Sequence, residues 1–166
     1  MNDISSWGRR HGVPQTALVE LYNILQPSRP VLGASPGTEA STQAGLRVDA
    51  STAGNALWRN NNGAAMTDDG RHIRFGLGND SQKLNKVWKS SDLIGMTRVT
   101  STAVGQVFGV FTAIECKRPG WVAPENERDR AQASFISTVR SLGGIGGFAT
   151  DRNQYKRIIE ECLSKH

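Results

Sequence analysis

With only two cysteines, Cys116 and Cys162, in 166 residues, the chain cannot carry a disulfide framework, and no Cys/His cluster has the spacing of a zinc site. No apolar run approaches the roughly 18 residues of a membrane span. The N-terminal stretch Trp7-Gly8-Arg9-Arg10-His11 is too polar to be the apolar region of a signal peptide. The histidines, His11, His72 and His166, are scattered and form no site. These absences exclude small disulfide scaffolds and a membrane-spanning helix, and they predict a protein of a reducing cytoplasm. Membrane partners and small-molecule cofactors are not expected.

What is present is positive charge, unevenly placed. The net charge is +5. Up to Met66 basic and acidic residues nearly balance, whereas Gly70 to Arg157 holds fourteen Lys/Arg against seven Asp/Glu. A basic surface suits a polyanion such as nucleic acid, although the same charge also serves simply to keep a surface soluble.

Two apolar segments organise the chain. Leu93 to Val99 and Gln106 to Ile114 have the composition of strands, and Thr100 to Gly105 is a plausible connection. An antiparallel hairpin centred near residue 103 or 104 sets Asp92 opposite Glu115. Side chains alternate along a strand, so Glu115 and Lys117 share a surface while Cys116 points into the core. Opposed side chains have Cβ atoms about 4.5–5.5 Å apart, and two carboxylates that close repel unless a cation lies between them. The hairpin therefore predicts an Asp92–Glu115 divalent-metal site with Lys117 beside it.

Around it, Leu18, Leu21, Tyr22 and Leu25 predict an amphipathic helix over Thr16 to Leu25, and Gln26 to Gly37, with three prolines, reads as a linker. A weak helix is predicted over Thr38 to Ala53, with Thr38 as N-cap and Glu39, Gln43 and Arg47 on one face. Leu57 and Trp58 suggest a short strand, Asn62-Gly63 and Thr67-Asp68-Asp69-Gly70 suggest turns, and His72 to Leu77 reads as a strand. Gly78 to Lys89 fits a short helix or a long loop; its Lys83, Lys86 and Lys89 suit phosphates or a solvated face. A helix over Glu125 to Leu142 presents Ala131, Phe135, Ile136, Val139 and Leu142 inward and ends at Gly143-Gly144. Ile145 to Ala149 reads as a buried strand, and a strand–helix–strand order predicts that it runs parallel to the Glu115 strand. A last helix spans Asn153 to Leu163, with Tyr155, Ile158, Ile159 and Cys162 inward. The fold class is α/β, a central mixed β-sheet of four or five strands flanked by helices.

Ser91-Asp92-Leu93-Ile94-Gly95, then Ala113-Ile114-Glu115-Cys116-Lys117, then Gln132 in a helix, resembles the PD-(D/E)XK nucleases. Within that superfamily the chain resembles the VRR-NUC family, especially its small stand-alone phage members. Glu39 and Gln43, Arg59-Asn60-Asn61-Asn62-Gly63 and the Gly-rich run from Gly143 to Phe148 fit further places in that pattern. The match covers about Glu39 to Arg157. It departs by the polar insert Asn79 to Lys89 and leaves residues 1–37 outside, dividing the chain into an N-terminal helix with linker (1–37) and a VRR-NUC-like nuclease domain (38–166).

The resemblance implies a restriction-endonuclease-like core and a Mg²⁺- or Mn²⁺-dependent DNA endonuclease. In it Asp92 and Glu115 bind metal with the backbone carbonyl of Cys116, Glu39 assists, Lys117 is catalytic, and Gln132 positions the water or the metal shell. Arg59, Asn61, Lys83, Lys86, Lys89 and Arg118 are the expected nucleic-acid contacts. The resemblance further implies a homodimer, branched DNA such as four-way junctions as substrate, and a host cytoplasm as location if the chain is phage-encoded. The alternative from another class is a nucleic-acid-binding module whose nuclease site is inactive or accessory.

Overall fold

The computed structural model describes residues 7–14, 16–18, 35–101 and 105–164. The helix expected over Thr16 to Leu25 and the linker after it fall mostly outside these residues. Residues 16–18 are helical, and Leu18 is buried.

From residue 35 onward the chain alternates helices and strands. Helix α1 (Glu39–Thr52) starts from Thr38, whose hydroxyl accepts from the Ser41 N–H while the Thr38 N–H donates to the Ser41 hydroxyl. Strand β1 (Ala56–Arg59) follows, then β2 (Gly63–Met66), β3 (His72–Phe75) and a single helical turn, α2 (Gln82–Asn85). Strands β4 (Leu93–Thr100) and β5 (Val107–Cys116) form the central hairpin. Helix α3 (Glu127–Ser141), strand β6 (Ile145–Ala149) and helix α4 (Arg152–Leu163) complete the fold.

The main sheet is mixed and four-stranded, in the order β1-β4-β5-β6. β1–β4 and β4–β5 are antiparallel, and β5–β6 is parallel across the α3 crossover. Alternation along the strands divides two cores between the faces of the sheet. On one face Leu93, Ile114 and Cys116 pack with Leu46 and Ala50 of α1 and Tyr155 and Ile159 of α4. Arg152 of α4 also grips Asp49 of α1 through its guanidinium, with Nε donating to Oδ2 at 2.7 Å. On the other face Ala113 packs beneath Phe135, Ile136 and Val139 of α3, with Trp88 edge-on to Phe135.

Leu142, expected on that inward face, is 82% exposed. It sits at the C-cap, where the chain leaves the helix through Gly143 at φ 82°, so its side chain is carried past the end of the core. Strand β2 was not anticipated: Gly63-Ala64-Ala65-Met66 has none of the β-branched residues that mark a strand, yet it pairs antiparallel with β3. This two-stranded ribbon stands apart from the main sheet and has no buried residue of its own. Among the described residues no helix is long and apolar enough to cross a membrane.

Candidate active site at the open end of the central hairpin

The hairpin pairs Leu93 with Ile114. One residue further, Asp92 faces Glu115, and each carboxylate binds the opposite backbone. The Asp92 N–H donates to Glu115 Oε2 at 3.1 Å, and the Cys116 N–H donates to Asp92 Oδ2 at 3.2 Å. Because Glu115 lies on the α3 side of the sheet, its side chain runs beneath that helix and is 1% exposed. Lys117 points the same way, as strand alternation requires, and its own N–H is tied to the Ala149 carbonyl of β6 at 2.9 Å.

A closed network forms there. Lys117 Nζ lies 3.2 Å from Glu115 Oε1, donates to Gln132 Oε1 at 2.9 Å and donates to Asp129 Oδ1 at 2.7 Å. Gln132, fully buried on α3, donates through Nε2 to Glu115 Oε1. Asp129, one turn before Gln132 on the same helix, also accepts from Trp121 Nε1 at 3.3 Å and from Asn126 Nδ2 at 3.1 Å. Asn126 is the N-cap of α3, so helix start and site share one residue. Trp121 stacks on Phe148 at 4.7 Å between centroids, and the Lys117 ammonium is 5.8 Å from both ring centres.

The charges in this network act strongly on one another. Burial, and then the neighbouring Asp92 carboxylate, push the Glu115 pKa up to about 8 against the opposing pull of Lys117. Burial alone would lower the Lys117 pKa, but the Asp129 hydrogen bond and the Glu115 charge raise it above its ordinary value. Burial alone would raise the Asp129 pKa, but the hydrogen bonds from Lys117 and Trp121 hold it below the ordinary carboxylate range. Lys117 and Asp129 are therefore an ion pair at neutral pH. The Cys116 thiol, on the other face of the sheet, is fully buried and its pKa is pushed well up by burial, with Asp92, Glu115 and Glu39 adding to the effect.

The Asp92 side of the site opens into a cleft of about 220 Å³ lined by residues that include Arg59, Asn61, Lys89, Asp92 and Arg128. Gln43 of α1 also lines it, whereas Glu39, one turn earlier, is exposed at the helix start. Lys83, Lys86 and Arg118 are exposed and do not line this cleft.

The structure thus brings Asp92, Glu115, Lys117 and Gln132 together and sets Arg59, Asn61 and Lys89 beside them. Among the described residues no three of His, Cys, Asp and Glu stand close enough to cage an ion, so Glu39 does not join the Asp92–Glu115 pair. Two hard-oxygen carboxylates on adjacent strands nevertheless fit Mg²⁺, which commonly binds through one or two carboxylates and completes its shell with water and substrate phosphate. Asp129, Trp121 and Arg128 were not singled out from the sequence. Asp129 and Arg128 lie within a strongly charged helix start, Glu125-Asn126-Glu127-Arg128-Asp129-Arg130, whose residues look alike until the fold turns Asp129 inward. Its spacing of three from Gln132 was the available signal. No protein-family model, no curated protein and no solved structure matches this chain.

Proposed function

We propose that the chain is a divalent-metal-dependent DNA endonuclease that hydrolyses phosphodiester bonds on a PD-(D/E)XK-like core. The observation that carries this reading is the convergence of Asp92, Glu115, Lys117 and Gln132 at the open end of one hairpin. Asp92 and Glu115 would hold Mg²⁺ or Mn²⁺, with the Cys116 carbonyl as the further expected ligand. A cation held there would polarise the phosphodiester and acidify a water.

The chain's own residues do the rest. Lys117, kept cationic by Asp129, is an electrostatic stabiliser of the charge that grows on the phosphoryl oxygens and orients the attacking water. A lysine with a raised pKa holds its proton at neutral pH, so Lys117 is not the general base. Gln132 binds Lys117 with its carbonyl and Glu115 with its amide, which fixes the distance between the two. The resemblance to stand-alone VRR-NUC members extends the proposal to a homodimer acting on branched DNA.

One observation favours the second reading, a nucleic-acid-binding module with an inactive site. Both Glu115 oxygens already accept hydrogen bonds, from the Asp92 N–H on one side and from Gln132 beside the Lys117 ammonium on the other. Cleavage of four-way junctions and linear duplex, with Mg²⁺ and with EDTA, separates the readings. The nuclease reading expects cleavage with Mg²⁺ alone, lost in Asp92→Asn, Glu115→Gln and Lys117→Ala. Equal cleavage in EDTA overturns the metal mechanism, and tight binding without cleavage in Mg²⁺ or Mn²⁺ establishes the module.

A further inference from the structure

The two sides of the site differ in charge compensation. Lys117 is ion-paired with Asp129 and lies beside Glu115. On the Asp92 side, Arg59 at the end of β1, Lys89 before β4 and Arg128 in the first turn of α3 line one cleft, and none of them forms a salt bridge with any described acid. Three cations thus share the cleft with a single lining carboxylate, Asp92, and such an excess of positive charge favours an anion. Consistent with this, burial and then the Arg128 charge hold the Lys89 pKa down against the opposing pull of Glu115 and Asp92.

The cleft is also built rather than incidental. The Lys89 N–H donates to the Ala131 carbonyl of α3 at 3.0 Å, tying the lysine to the helix that carries Arg128. Asn60 Nδ2 donates to the Ser91 carbonyl at 3.0 Å and to Ser90 Oγ at 2.9 Å, fixing the floor. Ser91, fully buried in that floor, has a hydroxyl with no hydrogen-bond partner. The lining is dominated by polar and charged side chains, as suits a phosphate and not an apolar ligand.

We propose that this cleft seats an internal backbone phosphate of the nucleic-acid strand, next to the phosphodiester at Asp92, with Lys89 and Arg128 as the direct phosphate contacts and Arg59 behind them. Its placement next to a scissile bond rests on the nuclease reading; the phosphate seat itself does not.

Fluorescence anisotropy of labelled duplex DNA in EDTA, between about 50 and 200 mM salt, tests it without any chemistry. Each phosphate contact removed should reduce the slope of log K against log salt by about 0.9. Lys89→Gln and Arg128→Gln should each show that reduction, and the double variant about twice it. Lys156→Gln, on α4 and outside the cleft lining, should keep the wild-type slope. Thermal melts confirm folding, which neither cleft side chain supports through a salt bridge. An unchanged slope in the double variant, an equal reduction in Lys156→Gln, or no DNA binding by the wild type overturns the proposal. A loss confined to 5′-phosphorylated ends overturns it in favour of a terminal phosphate. If the slopes change as expected but no metal supports cleavage, the nuclease reading fails and the phosphate seat stands.

Discussion

Lys117 is held by Asp129 at 2.7 Å, closer than its 3.2 Å approach to Glu115, its neighbour along the strand. The ammonium is thus anchored to α3, and the helix sets where the charge sits relative to the two carboxylates. Asp129→Ala should leave a buried lysine with one acidic partner and cost about 3 kcal/mol of stability. Asp129→Asn keeps the shape but removes the charge and turns one of the two acceptor oxygens into an amide donor. It should cost less stability while still lowering kcat, with KM little changed. Equal activity in Asp129→Asn would remove Asp129 from the account.

Glu115 makes the metal-free protein pH-sensitive. Its pKa is raised from 4.5 to about 8, so between those values the folded state holds a proton that the unfolded state has released. Stability therefore falls as pH rises through this window. In EDTA the wild-type Tm should decline from pH 5 to pH 8. The charged groups facing Glu115 are Asp92 and Lys117, with Asp129 beyond Lys117, and the Asp129 pKa is lowered, so its contribution is lost only at acid pH. Glu115→Gln should flatten the decline and be at least as stable as the wild type at pH 8. A decline that persists in Glu115→Gln would locate the proton elsewhere.

Lys117→Ala separates ligand from catalyst. On the nuclease reading Mn²⁺ should raise the wild-type Tm, and Lys117→Ala should retain that rise and lose cleavage. It should also be less stable than the wild type, because Asp129 is left buried without its ion pair. Loss of the Mn²⁺ response in this variant would mean that Lys117 shapes the cation site itself.

The β2–β3 ribbon depends on polar pins, since it has no core. Asn79 Nδ2 donates to the Gly63 carbonyl at 2.6 Å and to the Phe75 carbonyl at 2.8 Å, and Asn62 Nδ2 donates to Ser90 Oγ at 2.6 Å. Gly76, at φ 101°, permits the close approach of Asn62, where a Cβ would collide with the asparagine side chain. Asn79→Ala should cost about 1–3 kcal/mol. It should raise amide exchange in β2 and β3 while β4, β5 and β6 stay protected. Uniform exchange across both sheets would show that the ribbon is part of the main cooperative unit.

The hairpin was legible in the sequence because Leu93 to Val99 and Val107 to Ile114 are rich in β-branched and aromatic residues, and the connection between them fixed the register that opposes Asp92 and Glu115. Gln132 was singled out by the resemblance, and the crossover helix does return it over the Glu115 strand. Asp129 was not, because a lysine's partner is chosen by which helix face turns inward, and the start of α3 is charged all round. Strand β2 was hidden by its Gly-Ala-Ala-Met composition, and Leu142 misled because helical periodicity continues past the residue at which the helix ends.

Calorimetric titration of Mn²⁺ into the metal-free wild type and into Glu115→Gln decides where the cation sits. If the cation lies between Asp92 and Glu115, the wild type binds with measurable heat, and the variant, folded but lacking one carboxylate, binds at least tenfold more weakly. Undiminished binding in Glu115→Gln would place the metal elsewhere and contradict the assignment of the hairpin site.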